Sequence, residues 1–179
     1  AVTELLSGLK QGLAGASEAE LVVFPPFPYL AQVQQELVST CIRIGVQNVS
    51  AAPKGAYTGE VSLAMAAEFG VTYVLVGHSE RRALFAEDDA QVAAKYVATQ
   101  AASLTPILCV GETLAQREQG ETLAVVKAQV QAVIDAAGAG SFANAVIAYE
   151  PVWAIGTGLT ASPAQAQAVH QAIREHVAQ

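Results

Sequence analysis

Five short runs of β-forming residues, separated by helical stretches, most constrain what this chain can fold into. Each run has four or five residues, mainly Val, Ile, Leu, Ala, Phe, Tyr or Cys, and the runs are Leu21–Phe24, Ile42–Val46, Tyr73–Val76, Pro106–Val110 and Ala145–Tyr149. Nearly continuous apolar runs are typical of strands buried on both faces, as in parallel sheets. Their alternation with helices predicts an α/β fold.

Helical periodicity fills the stretches between the runs. Apolar residues recur at helical spacing in residues 2–13, which include Leu13, and in Thr122–Ala137. A hydroxyl N-cap followed by proline, at Ser162-Pro163, predicts the start of a helix that extends to about His176.

The segments after the runs favour a closed barrel over an open sheet. An open doubly wound sheet gathers its chemistry at one switch point, whereas the loops after many strands carry it in a barrel. Unusual polar or rigid sequence follows four of the five runs, at Pro25–Pro28, Gly77–Arg82, Gly111–Glu112 and Glu150–Trp153. We therefore expect a (β/α)8 barrel, and without a composition break or long linker we expect a single domain, 1–179.

Composition and charge exclude several functions. The chain is 53% apolar and 14% charged, with a formal net charge of −7. It contains no basic run for nucleic acid and no apolar run of about 18 residues that would span a membrane. Histidines at metal-ligand spacing are also missing, so we expect no nucleic-acid partner, no membrane association and no metal. Two isolated cysteines, Cys41 and Cys109, predict buried, reduced thiols in a cytoplasmic protein.

The most unusual segment is Tyr149–Gly158, which reads YEPVWAIGTG. Glu150 ends an apolar strand, a stiff Pro-Val-Trp follows, and two glycines come after an apolar tip. Stiff and mobile pieces in series suit a rigid lid on small hinges. An ordinary loop with a capping glutamate is the alternative.

A dinucleotide fingerprint, G-x-G-x-x-A, overlaps this segment at Gly156, Gly158 and Ala161. Such a fingerprint should follow directly from the strand and open the helix. Six residues separate Tyr149 from Gly156, and the predicted helix begins only at Ser162. A nucleotide-binding module is therefore the least favoured hypothesis.

A second segment, Gly77–Arg82, reads GHSERR directly after the third run. His78 stands where a helix N-terminus could hold the imidazole neutral, and a neutral imidazole can polarise a carbonyl. The charged residues after it could equally form a solvated ion-pair cluster. His170 and His176 fall in the last helix, where we expect them at the surface.

Four segments together resemble the triosephosphate isomerase family. They are VGHSERR from Val76, CVGET from Cys109, AYEPVWAIGTG from Ala148, and QNV from Gln47 with the long-loop sequence GAYTGEVS from Gly55. They occur in the order of that family and at plausible spacing. The resemblance implies a TIM barrel and a cofactor-free enzyme that interconverts dihydroxyacetone phosphate and glyceraldehyde 3-phosphate through an enediolate.

The resemblance also implies roles for particular residues. Glu150 matches the catalytic base, His78 matches the neutral electrophile, and the N–H of Gly156 would face the phosphate of a small triose substrate. Ile155 would shield the base, and Glu112 would anchor the lid tryptophan, Trp153. Further neighbours of the site would be Ser79, Glu80 and Cys109, and the loop at Thr58, Gly59 and Glu60 would enter the other subunit of a homodimer.

Several family features have no counterpart in this sequence. The family's first strand, with its Asn and catalytic Lys, has no matching run, since Lys10, Lys54, Lys95 and Lys127 lie in other contexts. The last two strands and their phosphate-binding loops are also unmatched. We expect an incomplete barrel, lacking strand 1 and the last two βα units. Either these residues belong to a longer protein, which we favour, or they form a catalytically inactive truncated fragment.

Overall fold

Five parallel strands form one sheet in strict chain order. The structure, a computed structural model, describes residues 1–12 and 19–179, so Leu13 lies outside the described residues. The strands are β1 (Val22–Val23), β2 (Arg43–Val46), β3 (Val71–Val76), β4 (Thr105–Val110) and β5 (Val146–Tyr149). Each pairs in parallel with the next, in the order β1-β2-β3-β4-β5. Each of the five predicted runs overlaps one of these strands.

Eight helices connect and flank these strands in the described part of the chain. They are α1 (Val2–Gly12), α2 (Leu30–Leu37), α3 (Leu63–Ala67), α4 (Ser79–Leu84), α5 (Asp89–Ala101), α6 (Leu114–Glu118), α7 (Thr122–Ala137) and α8 (Pro163–Val177). The predicted bounds of α7 are confirmed. The N-cap of α8 is also as predicted, since the Ser162 hydroxyl accepts from the Gln165 N–H.

The two faces of the sheet have different environments. Val74 and Val76 of β3 are almost completely buried in the core that also contains Val92 of α5 and Val130 of α7. The alternate residues of β3, such as Leu75, are only half-buried. Helices therefore cover one face, while the opposite face is partly open. Successive helices contact each other along the covered face, α5 with α7 and α7 with α8.

A strictly sequential parallel sheet with helices in sequence along it fits an incomplete (β/α)8 barrel. In a doubly wound sheet the strand order reverses at a switch point, and no such reversal occurs among the described strands. The prediction of an incomplete barrel is confirmed by this curled half-barrel arrangement.

Two surface predictions need correction. Cys41 is exposed and only Cys109 is buried, because Cys41 lies in the turn between α2 and β2, where the backbone has just reversed at Ser39 with a φ of 65°. His170 is exposed as predicted. His176 is half-buried, because it lies in the last turn of α8 with its Nε2 atom enclosed.

Candidate active site

The carboxyl ends of β3 and β5 bring the two predicted catalytic side chains together. His78 follows β3 by one residue and Glu150 directly follows β5. Because parallel strands end at the same edge of a sheet, the two residues meet across β4, and His78 Nε2 lies 3.0 Å from Glu150 Oε1. Both side chains keep some access to solvent, at 28% and 21% exposure.

His78 is fixed in a defined tautomer by the helix it begins. It is the N-cap of α4, and its Nδ1 accepts from the backbone N–H of Glu80 at 3.3 Å. Glu80 Oε2 is also 3.8 Å from Nδ1, but that carboxylate is mostly solvated, so the shorter backbone contact decides the assignment. An accepting Nδ1 carries no proton, so the hydrogen is on Nε2 and points at Glu150.

Glu150 is held from two sides within the site. Its Oε2 accepts from the backbone N–H of Ser79, the first residue of α4, at 3.3 Å. Its Oε1 faces His78. Cys109 lies close by on β4. Burial, followed by the Glu150 charge, raises the pKa of this thiol to about 12. The thiol stays protonated near neutral pH and is therefore not a nucleophile.

A buried carboxylate, Glu112, anchors both sides of the Glu150 segment. Its side chain is fully buried after β4, and Oε1 accepts from Trp153 Nε1 at 2.9 Å. Tyr149 donates its hydroxyl to the same carboxylate, 3.0 Å from Oε2. The residues that precede and follow Glu150 in the loop are thus tied to one acceptor, so the sequence-based pairing of Glu112 with Trp153 is present.

Arg117 completes this anchor. Its Nη1 lies 3.3 Å from Glu112 Oε1, and its guanidinium carbon lies 4.1 Å from the centre of the Trp153 ring. The ring is therefore held at its edge by a carboxylate and on its face by a cation. Burial raises the pKa of Tyr149 to about 12, and the charge and hydrogen bond of Glu112 act in the same direction.

The predicted lid divides at Ala154. A short 3-10 helix, Val152–Ala154, contains the buried Trp153. Beyond it the side chain of Ile155 is 53% exposed. Gly156 and Gly158 have φ angles of 69° and 79°. Residues with positive φ are predominantly glycine, which explains the two glycines at these positions.

The charged residues after His78 do not form one solvated cluster. Arg81 Nε lies 2.6 Å from Oε2 of the buried Glu87, and Arg82 Nη1 pairs with Asp89. Glu80 instead lies near His78 Nδ1, at 3.8 Å, and its side chain is largely exposed. The ion pairs brace α4 against the start of α5, and α4 is the helix that His78 caps.

Next to His78 lies a cavity of about 390 Å³. Its lining comes from the ends of the first three strands and from α4. In the described ranges, 1–12 and 19–179, no group of His, Cys, Asp or Glu side chains could hold a metal ion. No helix in these ranges is long and apolar enough to cross a membrane.

Comparison with known proteins supports the resemblance over the whole sequence. The family model described as triosephosphate isomerase matches residues 1–179. The chain belongs to the triosephosphate isomerase family. A relative named triosephosphate isomerase from Thiobacillus denitrificans is 62% identical over 97% of this chain and 69% of its own length. Relatives of the same name from Alcanivorax borkumensis and Dechloromonas aromatica are both 56% identical, over 98% of this chain and 71% and 70% of their own lengths.

In this chain of the triosephosphate isomerase family, the structure does not support the dinucleotide fingerprint. Gly156 and Gly158 lie in the loop after the 3-10 helix, and α8 begins only at Pro163. The glycines therefore neither follow β5 directly nor open α8, as a dinucleotide site requires.

Sequence reasoning missed most of the anchor around Glu112. Arg117, Tyr149 and Thr122 all contact its carboxylate, yet only Trp153 was predicted to do so. One signal was available for Arg117. Thr113 is the N-cap of α6, and helical side chains lean towards the N-terminus of their helix. The side chain of Arg117, four positions after the cap, is therefore directed back over the loop that contains Glu112.

Proposed function

We propose that this chain provides the catalytic centre of a triose-phosphate isomerase, which interconverts dihydroxyacetone phosphate and D-glyceraldehyde 3-phosphate without a cofactor. The single observation that carries the proposal is the 3.0 Å contact between His78 Nε2 and Glu150 Oε1, in a chain of this family. The reaction places the protein in glycolysis and gluconeogenesis, and we expect it in the cytoplasm.

Glu150 serves as the base in this proposal. Its carboxylate removes a proton from the carbon next to the substrate carbonyl, and the electron pair forms an enediolate. The same carboxyl group then returns the proton to the neighbouring carbon, and a proton passes from the hydroxyl oxygen of the first carbon to the former carbonyl oxygen. A backbone N–H from Ser79 and the anchors on Tyr149 and Trp153 support the position of this base. A base held in a fixed geometry needs little reorganisation during the reaction.

His78 serves as the neutral electrophile. Its Nε2–H donates to the oxygen that becomes negative in the enediolate, while Nδ1 stays occupied by the Glu80 N–H. Triosephosphate isomerase is the well-known example of this pairing of glutamate base and neutral histidine, so the roles come from the family and only the contacts come from this chain. Gly156 would offer its backbone N–H to the substrate phosphate.

Two further expectations accompany the proposal. Residues 1–179 form a single domain, supported by one continuous sheet. Two copies associate as a homodimer through the loop at Thr58, Gly59 and Glu60, supported by the exposure of this whole loop and of the adjacent Tyr57. Sedimentation equilibrium that gives only the mass of one chain at micromolar concentration would contradict the dimer.

The test is Glu150→Gln in two settings. One is the chain itself. The other, called the extended chain, joins residues 1–179 to those parts of the Thiobacillus denitrificans relative that lie outside the match, since the match covers 69% of that relative. We expect the extended chain to isomerise glyceraldehyde 3-phosphate in a coupled assay. Glu150→Gln should lower its kcat by roughly three orders of magnitude or more, because the proton acceptor is lost.

The matched control is Glu118→Gln, an exposed carboxylate on α6, which should leave kcat within about twofold. A Glu150→Gln variant within tenfold of the parent contradicts the role of the base. If the extended chain turns over substrate and the chain itself does not, residues 1–179 are a truncated, inactive fragment. The roles assigned to the residues would not be affected by this outcome.

A further inference from the structure

The backbone of Glu150 rests against a glycine of the neighbouring strand. Gly111 directly follows β4, and a Cβ built on it would overlap the carbonyl oxygen of Glu150 and lie 2.9 Å from its carbonyl carbon. The Glu150 N–H donates to the Val110 carbonyl at 2.8 Å. The backbone at Gly111 is therefore the surface that fixes where the main chain of the proposed base lies.

A side chain of α7 holds the backbone on both sides of the Gly111 α-carbon. Gln129 Oε1 accepts from the Gly111 N–H at 2.9 Å, and Gln129 Nε2 donates to the Gly111 carbonyl at 3.2 Å. Gln129 is a buried polar residue in a helix whose other buried positions are all valine. A buried amide needs partners, and here both of its polar atoms are used on one glycine.

We propose that Gln129 is a positioning residue for the proposed base Glu150, acting through Gly111. The inference rests on the function proposed above. Among the described residues, the side-chain hydrogen bonds of Gln129 go to Gly111 and none goes to the base or the electrophile. Gln129 sets the backbone orientation at Gly111, this orientation sets the contact with the Glu150 carbonyl, and that contact sets the position from which the carboxylate side chain starts.

Position along the chain strengthens this assignment. Glu112, the next residue after Gly111, anchors Tyr149 and Trp153 on either side of Glu150. A change in the backbone orientation at Gly111 would therefore move both the backbone support of the base and the anchor of its loop. Gln129 therefore holds the stretch of backbone on which both supports depend.

The experiment compares Gln129→Met with Gln131→Met in the extended chain. Both replace a glutamine of α7 by an unbranched apolar residue of similar length, but the side chain of Gln131 bonds to Asp135 on the same helix. We expect Gln129→Met to lower kcat about 10- to 100-fold with KM changed less than about threefold, because small misplacements of a reacting group act on the chemical step. Gln131→Met should leave both within about twofold.

A second variant separates positioning from packing. Gln129→Glu fills the same volume as glutamine, and its protonated carboxyl group can both donate to and accept from Gly111, whereas its carboxylate cannot donate. The ratio of its kcat to that of the parent, both measured at the same pH so that other titrations cancel, should rise as the pH falls from 8 to 5. A ratio that stays constant over this range, or a kcat for Gln129→Met equal to that of the parent, overturns the inference.

A measurement without turnover keeps the inference testable by itself. In the chain itself, Gln129→Met should speed amide hydrogen exchange at Gly111 and at Glu150 by at least about tenfold relative to Gln131→Met. Faster exchange at Gly111 alone would show that the glycine does not transmit the contact, and would overturn the positioning role. If instead Glu150→Gln retains activity in the extended chain, the proposed function fails while the exchange result still stands.

Discussion

The two halves of the loop that carries Glu150 are held very differently. Trp153 is 6% exposed, with a hydrogen bond at its edge and a guanidinium on its face. Two residues later Ile155 is 53% exposed, and Leu159 is nearly as open. Hydrogen bonds link the halves from the Ile155 N–H to the Val152 carbonyl at 3.1 Å and from the Thr157 hydroxyl to the Trp153 carbonyl at 2.7 Å.

This difference locates the part of the loop that can move. Segments with few buried contacts open at low free-energy cost, whereas segments tied to the core open only with it. The anchored half, Tyr149–Trp153, should therefore stay in place while the exposed half, Ile155–Leu159, changes conformation. The exposed isoleucine and leucine are the apolar surface that such a movement could cover, consistent with a lid hinged near Ala154.

Removal of the anchor should have the largest effect on stability. Glu112→Ala deletes a buried carboxylate and leaves Arg117, Tyr149 and Trp153 without their acceptor, which costs about 3–5 kcal/mol in the free energy of unfolding. Urea unfolding followed by circular dichroism measures this cost. Glu118→Ala, on the exposed side of α6, is the matched control and should stay within about 0.5 kcal/mol. A loss below about 1 kcal/mol for Glu112→Ala would remove the distinction between the two halves.

High pH should have the second-largest effect on stability, because it weakens the anchored half. The pKa of Tyr149 is raised from its ordinary value near 10 to about 12, so its contribution to stability is complete below pH 10 and is lost as the pH rises towards 12. Trp153, the only tryptophan in the sequence, reports this change by its fluorescence. Since Cys109 titrates in a similar range, the parent is compared with Tyr149→Phe. The pH-dependent loss should be larger in the parent, and identical curves would contradict the assignment.

A substitution in the exposed half should have the smallest effect on the free energy of unfolding. Gly156→Ala places a side chain at a φ of 69°, with open space around it, so the cost is about 1 kcal/mol from the backbone alone. Gly120→Ala, at a φ of 76° and equally open, is the matched control with the same expected cost. In the extended chain only Gly156→Ala should reduce kcat/KM, because only Gly156 is proposed to meet the phosphate. Equal activity losses in both variants would contradict that role.

The strands and the meeting of the two catalytic candidates were predictable from sequence because both depend on simple periodic rules. Buried parallel strands are apolar throughout, and residues that follow such strands share one edge of the sheet. The true start of β3 was hidden by Thr72, a polar residue that enters the strand by bonding the Ile44 carbonyl. The predicted start at Tyr73 is therefore two residues late.

The anchor was less predictable because it depends on contacts between elements that are distant in sequence. Tyr149 reads as the last apolar residue of a strand, and nothing in its neighbours reveals that its hydroxyl reaches Glu112, 37 positions earlier. The prediction that Cys41 is buried was wrong for a related reason. Cys41 adjoins an apolar run, but it lies in the turn between α2 and β2, where its side chain is exposed. Neither the family signature nor periodicity encodes the direction of such a turn.

The strictly sequential order of the sheet has a consequence for synthesis on the ribosome. Each strand from β2 to β5 pairs with the strand that precedes it in the chain, so its partner has already been made when it emerges. Starts of successive strands from β2 onward lie roughly 30 to 40 residues apart, which corresponds to intervals of about 2–8 s at typical translation rates. The nascent chain can therefore add one βα unit at a time, and the site forms late, when β5 brings Glu150 to a His78 that is already in place.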